Sequence, residues 1–307
     1  MEELELVNDN APWKLSVAAV LFKKLKEATG IIITRETSQR IAINNFIEDI
    51  KKSAYDPLMK AALISNAERI IKEYQNQNNI VAKAIPLLTK NANPEKIDND
   101  WFLAFMDKAR LFSEEEFQII WSKILAEECN KPGSISKQLL MTLAQMDKVD
   151  AEVFVGICNF SLKVQTEIET SYHPLIDLTK IKTYYSKYNI TSDKLRDLVA
   201  LGLIDFEEHT ESGFYLTEEK PILSIGYGEK LIKCSAPCYK IGVGAVILKK
   251  TGKELFKIIT QISHPGFLDE IVIPYFNRFW KNEGIMQEIQ NTLVELDKTV
   301  KNINKKK

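Results

Sequence analysis

The sequence predicts a mainly α protein: a multi-helix N-terminal and central region, then a smaller α+β winged-helix-like region, then a C-terminal helix. Three observations predict this. Apolar residues recur at helical spacing through most of the first 160 residues. Caps, prolines and glycines cut that pattern into segments of ordinary helix length. After Pro174, short β-type runs appear between turn residues. The expected division is 1–95, an N-terminal helical region; 96–165, a helical signature region; 166–262, the winged-helix-like part; and 263–307, a helical segment with a basic tail.

Taken in order, Trp13, Leu15, Val17, Val20, Leu21 and Leu25 alternate with lysines, and Gly30 marks a C-terminal stop. Two readings stand for this stretch: a core helix with solvated lysines, or a helix lying on a membrane surface. Ala42, Ile43, Phe46 and Ile50 form one stripe and Leu58 to Ile71 another, with Pro57 between them. Pro86 predicts the end or kink of a third run, and Asn91 to Asp100 is turn-rich, a candidate hinge. Trp101, Phe102, Phe105, Met106 and Ala109 share a helical face. Ser113 with Glu116 predicts a capping box for the helix that carries Phe117, Ile120, Trp121, Ile124 and Leu125. Asn130 to Gly133 stops it, Ser134 or Ser136 opens the next helix, and Asp147 caps another.

Beyond Pro174, Ile176 to Tyr188 predicts a helix, and Thr191 or Ser192 caps a second one that Gly202 closes. Leu203 to Phe206 and Phe214 to Leu216 read as outgoing and returning strands. Ile222 to Ile225 and Ala245 to Leu248 read as a second pair. Thr251 to about Ile262 predicts a helix, and a last one runs from Gly284 into Lys305 to Lys307.

Hydrophobic residues make up 45% and charged residues 27% of the 307, an ordinary globular balance. A formal net charge of -1 leaves no global basic field for nucleic acid or anionic lipid. The acidic start, Met1 to Glu5, lacks the n-region of a signal peptide. The longest apolar runs, Ser16 to Phe22 and Ile241 to Leu248, fall short of the ~20 residues of a membrane span. Cys129, Cys158, Cys234 and Cys238 do not suggest a disulfide framework. A cytoplasmic protein is expected.

Catalytic constellations are scarce. Cys234 and Cys238 have metal-like spacing without a second pair, so no metal or other cofactor is expected. His173, His209 and His264 stand in no sequence-adjacent triad, and Ile241 to Gly244 is only a fragment of a dinucleotide loop. Lys194 and Arg196 on the second helix of the winged-helix-like part face Asp193 and Asp197, which disfavours phosphate binding there.

Asn76 to Val81, Ile97 to Trp101, Ser113 to Gln118, Trp121 to Glu128, Pro132 to Lys137 and Lys148 to Ala151 with Phe154 together resemble the bacterial family called domain of unknown function 2806, over Asn76 to Phe160. That family is distantly similar to the abortive-infection alpha group, whose later pattern corresponds here to Leu201 to Ile204 and Leu248 to Gly252. The resemblance implies a phage-defence setting and supplies no reaction. The signature positions are Asp100, Trp101, Gln118, Trp121, Glu128, Ser136, Lys137 and Asp150, of which Gln118 and Glu128 have no plain structural job. The expected function is a non-enzymatic interaction or regulatory protein whose partner is protein, self or another defence component. Winged-helix DNA regulation and peripheral membrane action are the alternatives.

Overall fold

The computed structural model describes residues 12–30, 36–165, 170–207, 212–215, 222–235 and 240–279. The chain forms two compact units, 1–144 and 145–307.

In the first unit, α1 (Pro12–Thr29) buries Ala18, Leu21, Phe22 and Leu25, a stripe at helical spacing. It packs against α3 (Pro57–Ala84) and α4 (Asn99–Ala109), so the core reading holds and the face that would meet a bilayer is occupied. Gly30 ends α1 in the left-handed region, φ +68°. Next comes α2 (Glu36–Lys52). Asp56 then caps α3, accepting from the Leu58 and Met59 N–H groups at 2.9 and 3.1 Å, and Pro57 occupies the first helical position. The 28 residues of α3 span about 42 Å. A 3-10 turn at Ile85–Leu87 carries Pro86 and ends the helix as expected. The Asn91 to Asp100 connection is tied down by the Asn93 N–H on the Cys129 carbonyl, 2.7 Å.

Asp98 caps α4 through the Trp101 N–H, 2.8 Å. The expected Ser113 capping box is not formed. Helix α5 (Glu115–Asn130) starts later, with Glu114 at its N-cap and no side-chain cap bond; Glu115 and Glu116 instead face the positive helix end. Phe105 meets Trp121 edge-on at 5.2 Å, and Phe112 lies 5.2 Å from the same indole. These rings form the centre of the unit. Of the two candidate serines, Ser136 opens α6 (Lys137–Gln145), accepting from the Leu139 N–H at 3.2 Å.

The second unit begins with α7 (Lys148–Asn159), opened by a reciprocal capping box between Asp147 and Asp150. Strands β1 (Ser161–Gln165) and β2 (Thr170–Pro174) follow. Ile176 to Tyr188 is not the predicted helix but two 3-10 pieces, Leu178–Lys180 and Tyr185–Tyr188, joined by turns. Asp177 and Thr179 bond locally, and the Tyr185 hydroxyl donates to the Leu175 carbonyl at 2.6 Å, which holds the segment in tight turns. Thr191 caps α8 (Ser192–Ala200), and Gly202 closes it at φ +73°.

The strands are β3 (Ile204–Phe206), β4 (Ser212–Tyr215), β5 (Ile222–Tyr227), β6 (Lys230–Ser235), β7 (Lys240–Gly244) and β8 (Val246–Leu248). Their pairing differs from the expected one. The strand returning to β3 is β8, not β4, and β4 pairs with β7. Strand β5 pairs antiparallel with both β6 and β1, in the order β2-β1-β5-β6. The predicted helix from Thr251 is the short α9 (Lys250–Phe256). A π turn at Leu268–Val272 leads into α10 (Ile273–Phe279). Phe160, fully buried, is ringed by Tyr184, Tyr185, Tyr188, His264 and Phe267, with centroids 4.6 to 6.0 Å away. Leu216, His209, Cys238, the Cys234 side chain and the expected helix from Gly284 with its tail lie outside the described residues.

Candidate functional site

The signature residues of the first unit resolve into polar fasteners. On α3, the Asn76 amide donates to the Arg110 carbonyl at 2.8 Å and Gln77 to the Met106 carbonyl at 2.9 Å. Asn76 thus satisfies a carbonyl just past the end of α4, and Gln77 adds a second donor to the Met106 carbonyl, which also accepts from the Arg110 N–H at 3.2 Å. Glu73 sits one turn earlier and pairs with Arg110 and Arg69, each at 2.7 Å; those hydrogen bonds hold its carboxyl below the ordinary range against the opposing effect of desolvation.

Gln118 has a structural job after all. Its side-chain oxygen accepts from Lys83 at 3.0 Å and its amide donates to the Phe112 carbonyl at 3.1 Å. Glu128, 2% exposed, accepts from the Gly133 N–H at 2.6 Å and the Ile135 N–H at 2.9 Å. Burial pushes its pKa up, and the backbone donors of the turn oppose that shift. Asp100 is exposed in the first turn of α4, and Lys137 lies 3.6 Å from the Asp98 carboxylate. Trp101 and Trp121 are core rings; among the described residues the buried Trp101 indole N–H has no hydrogen-bond partner. Ser136 and Asp150 are caps. The structure thus spreads the predicted positions through the scaffold rather than gathering them into one site.

Reactive groups are equally dispersed. Burial pushes the Cys129 thiol up to about 12 and the Cys158 thiol well above its usual value, so both stay protonated and unreactive. Among the described residues no group of three or more His, Cys, Asp and Glu could hold a metal ion. The two halves of the Leu201 to Gly252 pattern meet: β3 pairs with β8, and Thr251 donates to the Gly202 carbonyl at 2.5 Å. A Cβ at Gly252 would stand 2.0 Å from the Leu203 carbonyl oxygen, so the pattern encodes a close approach of backbones. On α8, Arg196 pairs with Asp193 at 2.6 Å, Lys194 bonds Asn189, and Asp205 of β3 holds Lys249 at 2.9 Å. Its cations are spoken for.

Two surfaces remain. One is a cleft of about 470 Å³ between the β5–β6 turn and the loop before α10, lined by Tyr227, Glu229, Lys230, Ser263, His264 and Asp269 among others. His264 stacks on Phe160 at 4.6 Å, and burial holds its pKa below the ordinary histidine value. Among the described residues it has no carboxylate hydrogen-bond partner to orient it as a general base.

The other surface is on α3. Met59, Ala62, Asn66, Ile70, Glu73, Gln77, Ile80 and Ala84 follow one side at spacings of three and four. From Tyr74 onward this side is core, with Ile80 fully buried. Before Glu73 it is open: Met59 is 47% exposed and Ile70 39%, and neighbouring Leu58 is 80% exposed. Helix α2 covers a different flank, where Lys60 donates to the Lys51 carbonyl at 2.8 Å and Leu63, Ile64, Ala67 and Ile71 are half-buried.

A helical unit held by amide and carboxylate fasteners, followed by an antiparallel-sheet unit, defines the class: a two-unit, mainly α protein with a small α+β part. A family profile described as protein of unknown function (DUF2806) matches residues 65–272, more than half of the chain, and the chain belongs to that family. No curated protein and no solved structure matches. The match runs well beyond Asn76 to Phe160 and takes in the cleft and the buried half of α3. Sequence reasoning missed Lys83, whose partner lies 35 positions away, and the cleft, whose two walls are separated along the chain. The repeat of apolar residues from Leu58 to Ile71 carried the signal for the open face, but not its exposure.

Proposed function

We propose that the chain is a non-enzymatic interaction protein that engages protein through the open side of α3. The observation that carries this is the core-facing stripe of α3 running on past the end of its own core, uncovered from Met59 to Ile70. Exposed apolar residues in a continuous stripe mark association surfaces more often than isolated ones do. The dispersal of titratable groups, the protonated buried thiols and the paired cations of α8 support binding over catalysis or phosphate contact. A phage-defence setting rests on the distant similarity to the abortive-infection alpha group alone.

A photo-crosslinking residue at Ala62 tests the interaction in cells that make the protein. A discrete crosslinked species is expected from Ala62 and none from exposed Glu95 on another face. Absence of any species at Ala62 would sink the proposal. The defence setting predicts that phage plaque less efficiently on cells carrying the gene, and equal plaquing would remove that part.

A further inference from the structure

We infer that the open side of α3 is the seam of a homodimer, in which a second copy lays its own α3 antiparallel across it. This rests on the interaction reading above and names its partner.

Area supports a self-contact. A standard interface takes about 800 Å² from each partner, a little more than half of it apolar. Tyr55, Leu58, Met59 and Ile70, between 39% and 80% exposed, leave on the order of 400 Å² of side chain open on this part of the hairpin. That is the apolar share of one standard interface, contributed by one helix and the turn before it.

Shape supports the antiparallel arrangement. Crossing helices are closest at the middle of their contact and diverge toward its ends. The seam has small exposed residues in its middle, Ala62 and Asn66, and large ones at both ends, Leu58 and Met59 on one side and Ile70 on the other. Turned end for end on a two-fold axis, the small middles permit close approach, and Leu58 and Met59 of each copy reach toward Ile70 of the other. A two-fold contact needs this self-complementarity. The charges at the Ile70 end need no new partner, since Arg69 already bonds Asn66 at 2.8 Å and Glu73 at 2.7 Å. The seam therefore closes without leaving an unpaired charge.

The test is the mass of the purified full chain in solution, by light scattering over a dilution series, for the wild type and for Leu58→Glu with Ile70→Glu. Twice the 35.1 kDa chain mass is expected for the wild type at high concentration. The double variant should raise the dissociation constant at least about a hundredfold, while its melting temperature under dilute, monomeric conditions stays unchanged because both positions are exposed. Ala62→Cys should yield an oxidant-dependent, reducible dimer band beyond any seen in the wild type. A wild type that is monomeric throughout, or a dimer indifferent to the double variant and not captured by Ala62→Cys, overturns the inference. A monomeric chain that still crosslinks from Ala62 to a different protein in cells overturns self-association and leaves the interaction reading standing.

Discussion

The two halves of α3 share one helix and one repeat yet live in different surroundings. Past Tyr74, the side that faces α4 and α5 is filled by Gln77, Ile80, Val81 and Ala84, and its amides tie off the end of α4. Before Glu73, the same side carries Met59, Ala62 and Ile70 into solvent. The repeat is continuous, so what changes is the supply of neighbours, not the pattern. Periodicity therefore reports which side a helix will bury if something covers it. It does not report how far the cover extends.

The sharpest way to break the comparison is to shorten the same kind of side chain in both halves. Ile80→Ala, at a fully buried position, should cost about 2–5 kcal/mol by removing packed methylenes and leaving a cavity. Urea unfolding followed by circular dichroism would show this, and a loss below 1 kcal/mol would mean that the second half is less embedded than described. Gln77→Ala should cost about 0.5–1.5 kcal/mol, since the Met106 carbonyl loses one of its two donors and keeps the Arg110 N–H; the same titration reads it.

A pH series sharpens the embedded side further. Glu128 lies on α5, which packs against α3, and its folded-state pKa is raised above the ordinary carboxylate value by burial. The folded state then holds the proton to higher pH than the unfolded chain, so stability should fall as pH rises from about 4.5 through the folded pKa. Glu128→Gln should flatten that slope while lowering stability throughout, because an amide replaces only one of two acceptors. A slope equal to the wild type's would assign the pH dependence to another group. The smallest effect belongs to the open half: Leu58→Ala should change stability by no more than about 0.5 kcal/mol under dilute conditions. A larger loss would show that this half is covered within its own chain.

Helix existence was legible wherever the code is local. The Asp147 cap, the Gly30 and Gly202 stops and the break at Pro57 all stand within a few residues of what they control. Strand partners were not legible. The β3–β8 pairing joins residues some forty positions apart with four intervening paired strands, and no local signal separates β8 from β4 as the partner. The run from Ile176 to Tyr188 misled for a related reason: its periodicity is helical, but Asp177, Thr179 and Tyr185 hold the backbone in tighter turns. Gln118 and Glu128 could be singled out as signature positions, while their partners, Lys83, Gly133 and Ile135, required the fold.

The Glu128 carboxylate also acts as a gauge. Its two oxygens reach two amides of one turn, so the length of the side chain fixes how far that turn stands from α5. Asp at this place would be shorter by one carbon–carbon bond, about 1.5 Å, more than a hydrogen bond tolerates. A relative carrying Asp here should therefore show a compensating change in the turn between the equivalents of Asn130 and Ser136. Side-chain length at one position and loop length at another should vary together, and aligned sequences of the family can be inspected for that covariation.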